Sequence, residues 1–225
     1  IYLDKTNIST ILKREDHRDV LVSNKKIELL KLQSSDSIGT TSIRRKIQIR
    51  NLNKSVKIID VRGNVDTRVN KMIKGECSAL VLAAAGVKRL GLEKYIVQYL
   101  DNDNFTTAPG QGAIALEILK ENEIINKNLK KVNDKNSNIC TRAERIFMGK
   151  IGGGCHMPFG CFAQIENNMI TITGMIASIN NFLIVRKKIT GNINEYENLS
   201  EQLAKDIIKD DGQIIINELK NNSYA

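Results

Sequence analysis

Two predominantly apolar runs of strand length, each followed by apolar residues at helical spacing, constrain the fold most. The runs cover residues 56–61 and 79–85. After the first run, apolar residues over 65–73 lie three or four positions apart, as on one face of a helix, and Gly75 would end that helix. Strands that alternate with helices are typical of βαβ units and a parallel sheet. We therefore predict an α/β fold for the central part of the chain.

Shorter segments extend this pattern on both sides. Residues 20–22 are a strand candidate, and we interpret the charged junction before them, 13–19, as a salt-bridged crossover. Residues 37–45 pass from a short strand through hydroxyl residues into a helix. Two more helices are predicted, one from about 86 to 96 and one over 114–121.

A polar linker rich in Asn and Lys, residues 121–138, separates this part from one with a different pattern. Ser137 is predicted to cap a helix there. Partial alternation of apolar and polar residues over 163–165, 170–177 and 182–189 then predicts an antiparallel meander. A further helix follows the meander, so this part of the chain is expected to form a small α+β domain.

Composition limits the classes of partner. The chain has 34 lysines and arginines against 25 aspartates and glutamates, a net charge of +9, which favours anionic partners. Nucleic acid fits poorly, because aromatic residues make up only 4% of the chain and tryptophan is absent, which leaves little surface on which bases could stack. No apolar stretch reaches the roughly 18 residues that a membrane span needs. We expect a soluble, intracellular protein with no nucleic-acid or membrane partner.

The cysteines and histidines do not form a pattern typical of metal ligands. None of the four cysteines belongs to a C-x-x-C pair, and only two histidines are present, so we predict no metal site. The cysteines are expected to be reduced thiols in a reducing compartment. They are Cys77, Cys140, Cys155 and Cys161.

Hydroxyl residues and arginines cluster at two predicted helix starts. The unpaired backbone N–H groups and the positive dipole end of a helix start favour an anion. Because both helices follow strands, their N-termini are expected at the carboxyl edge of the sheet, where ligands bind in doubly wound folds. Helix capping alone would explain the hydroxyl residues equally well. The residues are Thr41, Ser42, Arg44 and Arg45 at the first start, and Arg62 and Arg68 at the second.

Four arginines in one cleft indicate a ligand with several negative charges. A guanidinium group matches a carboxylate through two parallel hydrogen bonds. Phosphate groups would also fit, but the chain has neither a P-loop nor a G-x-G-x-x-G sequence. A polycarboxylate is therefore the preferred ligand.

Cys155 lies in a glycine-rich segment, Ile-Gly-Gly-Gly-Cys-His-Met-Pro-Phe-Gly, at residues 151–160. Successive glycines allow backbone conformations that other residues reach only with strain, and Pro158 stiffens the end of the segment. Two interpretations are open from these residues alone. The thiol of Cys155 either forms a covalent bond to a ligand or is a small buried side chain in a glycine turn.

Five motifs, in this order, resemble those of the porphobilinogen deaminase family. The similarity runs from about Lys13 to the C-terminus. The motifs are Gly-Thr-Thr-Ser-Ile-Arg-Arg at 39–45, Arg-Gly-Asn-Val-Asp-Thr-Arg at 62–68, Ala-Ala-Ala-Gly-Val-Lys-Arg-Leu-Gly at 83–91, Ala-Pro-Gly-Gln-Gly-Ala at 108–113, and Gly-Gly-Cys-His-Met-Pro-Phe-Gly at 153–160.

This resemblance implies hydroxymethylbilane synthase activity, in which four porphobilinogen units are joined into a linear tetrapyrrole with loss of ammonia. It also implies a dipyrromethane cofactor, held by a thioether to Cys155, on which the polypyrrole chain grows. Each pyrrole ring carries an acetate and a propionate. The many carboxylates of cofactor and product would explain the arginines.

The resemblance further implies roles for individual residues. Cofactor carboxylates would be held by Thr41, Ser42, Arg44, Arg45 and Arg68; the substrate or growing chain would be bound by Arg62 and Arg89; Gln111 would lie at a hinge between domains. No catalytic residue is assigned in this chain, because the aspartate of the family would lie upstream of Ile1, and the chain is expected to be catalytically incomplete. Neither Asp60 nor Asp66 matches that aspartate.

The chain departs from the family pattern at two positions beside Cys155. Gly152 stands where the family usually has an acidic residue, and His156 stands where glutamine is commoner. The cysteine loop is therefore expected to be looser than in other members.

The implied architecture has two doubly wound α/β domains like those of type II periplasmic binding proteins, the first of them truncated, and a small α+β domain. Residues 1–12 and 111–128 would belong to domain one, 13–110 to domain two, and 129–225 to domain three. We expect a monomer in the cytoplasm, or in a plastid if the source is a plastid-bearing eukaryote. A noncatalytic, hinged anion-binding module is the alternative function, and a nucleic-acid binder is supported by charge alone.

Overall fold

The computed structural model describes residues 5–152 and 158–222. The strands are β1 Thr6–Ile11, β2 Asp19–Val22, β3 Ser37–Gly39, β4 Lys57–Ile59, β5 Ala79–Ala83, β6 Ile96–Leu100, β7 Ala115–Leu119, β8 Phe159–Glu166, β9 Met169–Ala177 and β10 Ile184–Asn192. The α-helices are α1 Ile43–Leu52, α2 Val65–Ile73, α3 Ala84–Arg89, α4 Glu123–Leu129, α5 Lys135–Ile151, α6 Tyr196–Ile207 and α7 Gln213–Asn222.

Five strands form a mixed sheet in the order β4-β3-β5-β2-β6. β3 runs parallel to β4 and β5, whereas β2 runs antiparallel to both β5 and β6. The predicted parallel sheet therefore holds except for β2, which enters from the opposite edge. Its first residue, Asp19, pairs with Ala83 and Leu100, the last residues of β5 and β6. The antiparallel strand thus brings an aspartate to the carboxyl edge of the parallel strands.

The sheet is covered on both faces. Alternate residues of β2 and β5 face two separate apolar clusters, one with Val69 and Met72 of α2 and one with Ile49 of α1. Side chains along a strand alternate between faces, so a strand buried on both sides needs apolar residues at every position. This burial explains the continuous apolar run at 79–83. The predicted α/β class is confirmed.

The structure corrects two predicted helices and the linker. Helix α3 ends at Arg89, Gly91 adopts a left-handed φ of 66°, and the chain continues into strand β6. Residues 115–119 form strand β7, which pairs antiparallel with β1 in a separate two-stranded sheet. The segment 121–138 is not a linker, since it contains α4 and the start of α5. Apolar residues at helical spacing were misleading where strand pairing took precedence.

The C-terminal part is a three-stranded antiparallel sheet, in the order β10-β9-β8, packed on α5 and α6. The predicted meander and the α+β character are confirmed. Asn167 and Asn168, with φ values of 49° and 65°, form the tight turn between β8 and β9. The cap of α5 is Asp134, which accepts a hydrogen bond from the backbone N–H of Ser137 at 2.8 Å, so the prediction of a Ser137 cap was wrong.

Candidate carboxylate-binding site

The site lies where β3, β4 and β5 end and the helices after them begin. Ser42 caps α1, and its hydroxyl accepts from the backbone N–H of Arg45 at 3.4 Å. Thr41 precedes it in the same loop and is half-buried. Because the three strands are parallel, the loops after them share one edge of the sheet. The predicted hydroxyl and arginine residues of the first helix start therefore lie at the expected edge.

Asp19 holds both arginines of α1. Its Oδ2 accepts from Nη1 of Arg44 at 2.8 Å, and its Oδ1 accepts from Nε and Nη2 of Arg45 at 3.0 and 2.7 Å. Asp19 has no exposed surface, and Arg44 is 6% exposed. Sequence reasoning missed this role, since Asp19 was interpreted only as part of a charged crossover and no local pattern links it to α1.

The charge of Asp19 is stable in this environment. Burial disfavours the ionised carboxylate, but the guanidinium groups of Arg45 and Arg44 outweigh burial and hold the pKa of Asp19 below its ordinary value. One carboxylate faces two guanidinium groups, so the trio keeps a net positive charge. A carboxylate ligand at this edge would therefore meet a positive potential.

The two arginines differ in how many donors they have left. In Arg45, all three nitrogens have protein partners: Nη1 donates to the carbonyl of Val81 at 3.2 Å, and Nη2 also lies 3.5 Å from Oε1 of Gln111. In Arg44, only Nη1 is bonded, to Asp19 and to the carbonyl of Thr106 at 2.6 Å. Within the described residues, nothing accepts from Nε or Nη2 of Arg44. Arg44 can therefore offer these donors to a ligand.

Two further predicted arginines, Arg62 and Arg68, belong to the second helix start, at α2. Arg68 is half-buried in α2, and its Nε donates to the carbonyl of Gly63 at 2.6 Å. Burial and the nearby charge of Arg45 lower the pKa of Arg68, which places the two guanidinium groups within electrostatic reach of each other. Arg62 is exposed in the loop before α2. In the described part of the chain, no carboxylate pairs with Arg62 or Arg68.

Arg89 lies apart from the trio. It is exposed in the last turn of α3, about 7–8 Å along the helix from the sheet edge at a rise of about 1.5 Å per residue. It, too, has no carboxylate partner among the described side chains. The structure therefore does not bring Arg89 into direct contact with Arg44 or Arg45.

Gln111 connects the trio to the segment that leads into β2. Its Nε2 donates to the carbonyl of His17 at 2.7 Å and to Oδ1 of Asp19 at 3.1 Å. Alongside, the backbone N–H of Glu15 donates to the carbonyl of Gly112 at 3.0 Å. Two chain segments therefore cross side by side between the five-stranded sheet and the β1–β7 pair. Gln111 lies at this crossing.

A second buried ion pair, which sequence reasoning missed, secures the same crossing. Nη1 and Nη2 of Arg14 donate to the two carboxylate oxygens of Glu144 at 2.5 and 3.2 Å. Glu144, on α5, is fully buried and also accepts from the backbone N–H groups of Gly110 and Ala163. Burial raises the pKa of Glu144, although Arg14 opposes the rise. Glu144 thus joins the crossing to the C-terminal domain.

The aspartates that the sequence placed near the arginines lie on the surface. Asp60 is exposed and accepts from Nζ of Lys46 at 2.6 Å, and Asp66 is exposed in the first turn of α2. The hydrogen bond from Lys46 lowers the pKa of Asp60 below its ordinary value. Among residues 5–152 and 158–222, no group of three or more histidine, cysteine or acidic side chains could hold a metal ion.

Cys155, Gly153, Gly154 and His156 lie outside the described residues; Gly152, just before them, ends α5 with a left-handed φ of 74°. The other three cysteines are buried free thiols. Burial raises the pKa of each of them, to about 12 for Cys140. A thiol must lose its proton to act as a nucleophile. Cys77, Cys140 and Cys161 are therefore poor candidates for covalent attachment.

Two family models match this chain. The one described as "Porphobilinogen deaminase, dipyromethane cofactor binding domain" matches residues 2–127, and the one described as "Porphobilinogen deaminase, C-terminal domain" matches residues 138–209. Together they cover the five-stranded sheet, the β1–β7 pair and the meander.

Curated relatives agree with the family models. The porphobilinogen deaminase of Clostridium kluyveri is 42% identical over 206 residues, and that of Clostridium novyi is 38% identical over 211 residues. The matches cover 92% of this chain and 70% of each relative. None of the helices in the described part of the chain has the length and apolar character that a membrane crossing requires.

Proposed function

The chain belongs to the porphobilinogen deaminase family, and we propose that its arginine site binds the carboxylates of a dipyrromethane cofactor and of the pyrrole chain built on it. The family's activity is that of hydroxymethylbilane synthase, a transferase of tetrapyrrole biosynthesis. Porphobilinogen is its substrate. The alternative of a noncatalytic anion-binding module finds no support in these relatives.

The observation that carries this proposal is that two guanidinium nitrogens of Arg44 are available to a ligand. Asp19 and Thr106 hold Nη1, while Nε and Nη2 have no acceptor among the described residues. A charge-assisted hydrogen bond from such a guanidinium group to a carboxylate contributes roughly 1.5–3 kcal/mol. The residues present therefore fit a carboxylate-bearing group.

We assign the roles of the surrounding residues on the same basis. Arg44, with Ser42 and Thr41 at the start of α1, would hold cofactor carboxylates. Arg45 would act mainly by keeping Asp19 in place, since its own nitrogens are already bonded. Arg68 would complete the cofactor pocket. Arg62 and Arg89, exposed and without carboxylate partners in the described chain, would bind the substrate or the growing product.

When bound, the cofactor supplies the covalent primer for pyrrole addition. We propose that Cys155 provides its attachment, because the other three thiols are buried with raised pKa values. Gln111 would serve as the hinge residue, since it links the two crossing segments. The pairing of β1 with β7 supports one unit formed by residues 1–12 and 111–128, next to 13–110 and 129–225. A cytoplasmic monomer is our further proposal.

Intact-mass measurement tests the proposal. The full-length protein, produced in cells that make porphobilinogen, should carry a covalent dipyrromethane that Cys155→Ala removes. Cys77→Ala, Cys140→Ala and Cys161→Ala are matched controls and should keep the adduct. An adduct that survives Cys155→Ala, or an unsubstituted protein without one, would contradict the assignment.

A further inference from the structure

Arg186, on β10 of the C-terminal domain, reaches across to the loop after β6. Its Nε donates to Oγ1 of Thr106 at 2.9 Å, and its Nη2 donates to Oε1 of Gln48 at 3.0 Å. Nη1 and Nη2 also donate to the carbonyls of Asp103 and Asn104 at 3.0 and 2.9 Å. All three guanidinium nitrogens are thus bonded to neutral acceptors on the other domain.

The two side chains that Arg186 holds are the neighbours of Arg44. Gln48 follows Arg44 by one turn of α1, and its amide both accepts from the backbone N–H of Thr106 at 2.7 Å and donates to the Thr106 carbonyl at 3.0 Å. That same carbonyl accepts from Nη1 of Arg44 at 2.6 Å. Gln48 and Thr106 are fully buried. A continuous chain of hydrogen bonds therefore runs from Arg186 to Arg44.

Residues 105–107 of the loop that carries Thr106 are buried beside the C-terminal domain. The backbone N–H of Cys161, on β8, donates to the carbonyl of Thr107 at 2.9 Å. A Cβ atom at Gly160 would lie 2.9 Å from the Thr107 carbonyl and 3.0 Å from the Thr106 carbonyl. The C-terminal domain thus contacts this loop from two strands, and a shift of either strand would move the carbonyl that holds Arg44.

We propose that Arg186 is a positioning residue for cofactor binding: it fixes Thr106 and Gln48 and thereby sets the direction in which Nε and Nη2 of Arg44 point. The inference rests on the proposed function of Arg44. It assigns the C-terminal domain a second role, in shaping the carboxylate site on the other domain.

The test is the rate at which the cofactor-free, full-length protein gains the covalent adduct from porphobilinogen, followed by intact mass. Arg186→Met should load at least about tenfold more slowly, since the loss of a charge-assisted hydrogen bond corresponds to about a tenfold change or more. Lys188→Met is the matched control, because Lys188 lies on the same strand and contacts the same loop at Asp103 but not Thr106 or Gln48. It should load within about twofold of the unsubstituted protein.

A second pair of variants decides the question if Arg186→Met does not fold. Thr106→Val keeps the carbonyl that binds Arg44 and removes the hydroxyl, which accepts from Arg186 and donates to the carbonyl of Asn102 at 3.3 Å. Loading should therefore slow at least about threefold, in line with the loss of at least one hydrogen bond. Thr107→Val is its neighbour control, since the buried Thr107 hydroxyl has no partner in the described structure. Equal loading by Thr106→Val and Thr107→Val would overturn the proposal.

Testing Arg186→Met in a protein that lacks the Arg44 guanidinium group separates an effect on the direction of Arg44 from a general loss of stability. In an Arg44→Lys background, Arg186→Met should change loading less than about twofold, because the guanidinium group that it positions is gone. A tenfold effect that persists in this background would overturn the proposal. If the unsubstituted protein gains no adduct at Cys155, the proposed function fails; if it does and Arg186→Met loads equally fast, only this inference fails.

Discussion

Arg45 binds Asp19 through only one carboxylate oxygen: Oδ1 of Asp19 accepts from Nε of Arg45 at 3.0 Å and from Nη2 of Arg45 at 2.7 Å. The other oxygen of Asp19 is thereby left for Arg44, at 2.8 Å. One buried negative charge thus fixes two neighbouring positive charges at the edge of the sheet. The excess positive charge is what a carboxylate ligand would neutralise.

Asp19→Asn should destabilise the protein by about 3–5 kcal/mol, because it leaves two guanidinium groups without their buried counter-charge. Chemical denaturation followed by circular dichroism measures the loss. Asp60→Asn is the control, since Asp60 pairs with Lys46 on the surface, and it should leave the unfolding curve unchanged. Similar unfolding of both variants would show that Asp19 does not hold the arginines together.

Arg44→Leu should prevent cofactor assembly, whereas Arg62→Leu should leave most of the cofactor in place and chiefly stall chain elongation. The reason is position: Arg44 is buried beside Asp19 with two nitrogens open, and Arg62 is exposed in the loop before α2. Native mass spectrometry after incubation with porphobilinogen measures cofactor occupancy and the length of the bound chain. Equal occupancy in the two variants would contradict this division of roles.

His17 should make stability depend on pH between about 6.5 and 4. Its ring stacks on Phe162 with a centroid distance of 3.7 Å, and burial, aided by Arg14, lowers the pKa of His17 from 6.5 to about 4. Below pH 6.5 the unfolded chain binds a proton at His17, whereas His17 of the folded protein stays neutral. The free energy of unfolding therefore falls as the pH drops through this range towards about 4.

His17→Phe keeps an aromatic ring against Phe162 and removes the titrating group. The slope of unfolding free energy against pH between about 6.5 and 4.5 should therefore be shallower in this variant. Denaturant titrations at several pH values provide the comparison. An unchanged slope would mean that His17 does not cause the dependence.

Gly160→Ala should destabilise the protein by about 1–3 kcal/mol. Its new methyl group would lie 2.9 and 3.0 Å from the carbonyls of Thr107 and Thr106, which are backbone atoms and cannot turn away. Gly149→Ala is the matched control, because Gly149 is in α5 and a methyl group there would have no neighbouring atom within 4 Å, and it should stabilise by roughly 0.5–1 kcal/mol. Thermal unfolding measures both; a loss of stability in both would rule out the contact at Gly160 as the cause.

Much of the fold could be predicted where neighbouring residues decide it. The strand, the Ser42 cap and helix α1 follow one another in sequence, and the Asn-Asn turn between β8 and β9 requires only residues that tolerate positive φ. In the candidate site, the sequence likewise predicted that Arg44, Arg45 and Ser42 cluster at one helix start. These are local features, set by backbone geometry and by side chains a few positions apart.

Contacts between distant parts of the chain set the direction of β2, the strand character of β6 and β7, and the partner of each arginine. Residues 115–119 are apolar at helical spacing, yet pairing with β1, more than 100 positions earlier in the chain, makes them a strand. Asp19 and Arg186 are 25 and 142 positions from Arg44. Strand direction brings Asp19 into contact with Arg44, and domain docking brings Arg186 to Thr106, whose carbonyl binds Arg44. Local sequence patterns were enough to predict the α/β and α+β classes and which residue types cluster at the helix starts. Long-range pairing and burial set which charges meet, because a buried charge needs a partner and only the folded chain brings that partner close.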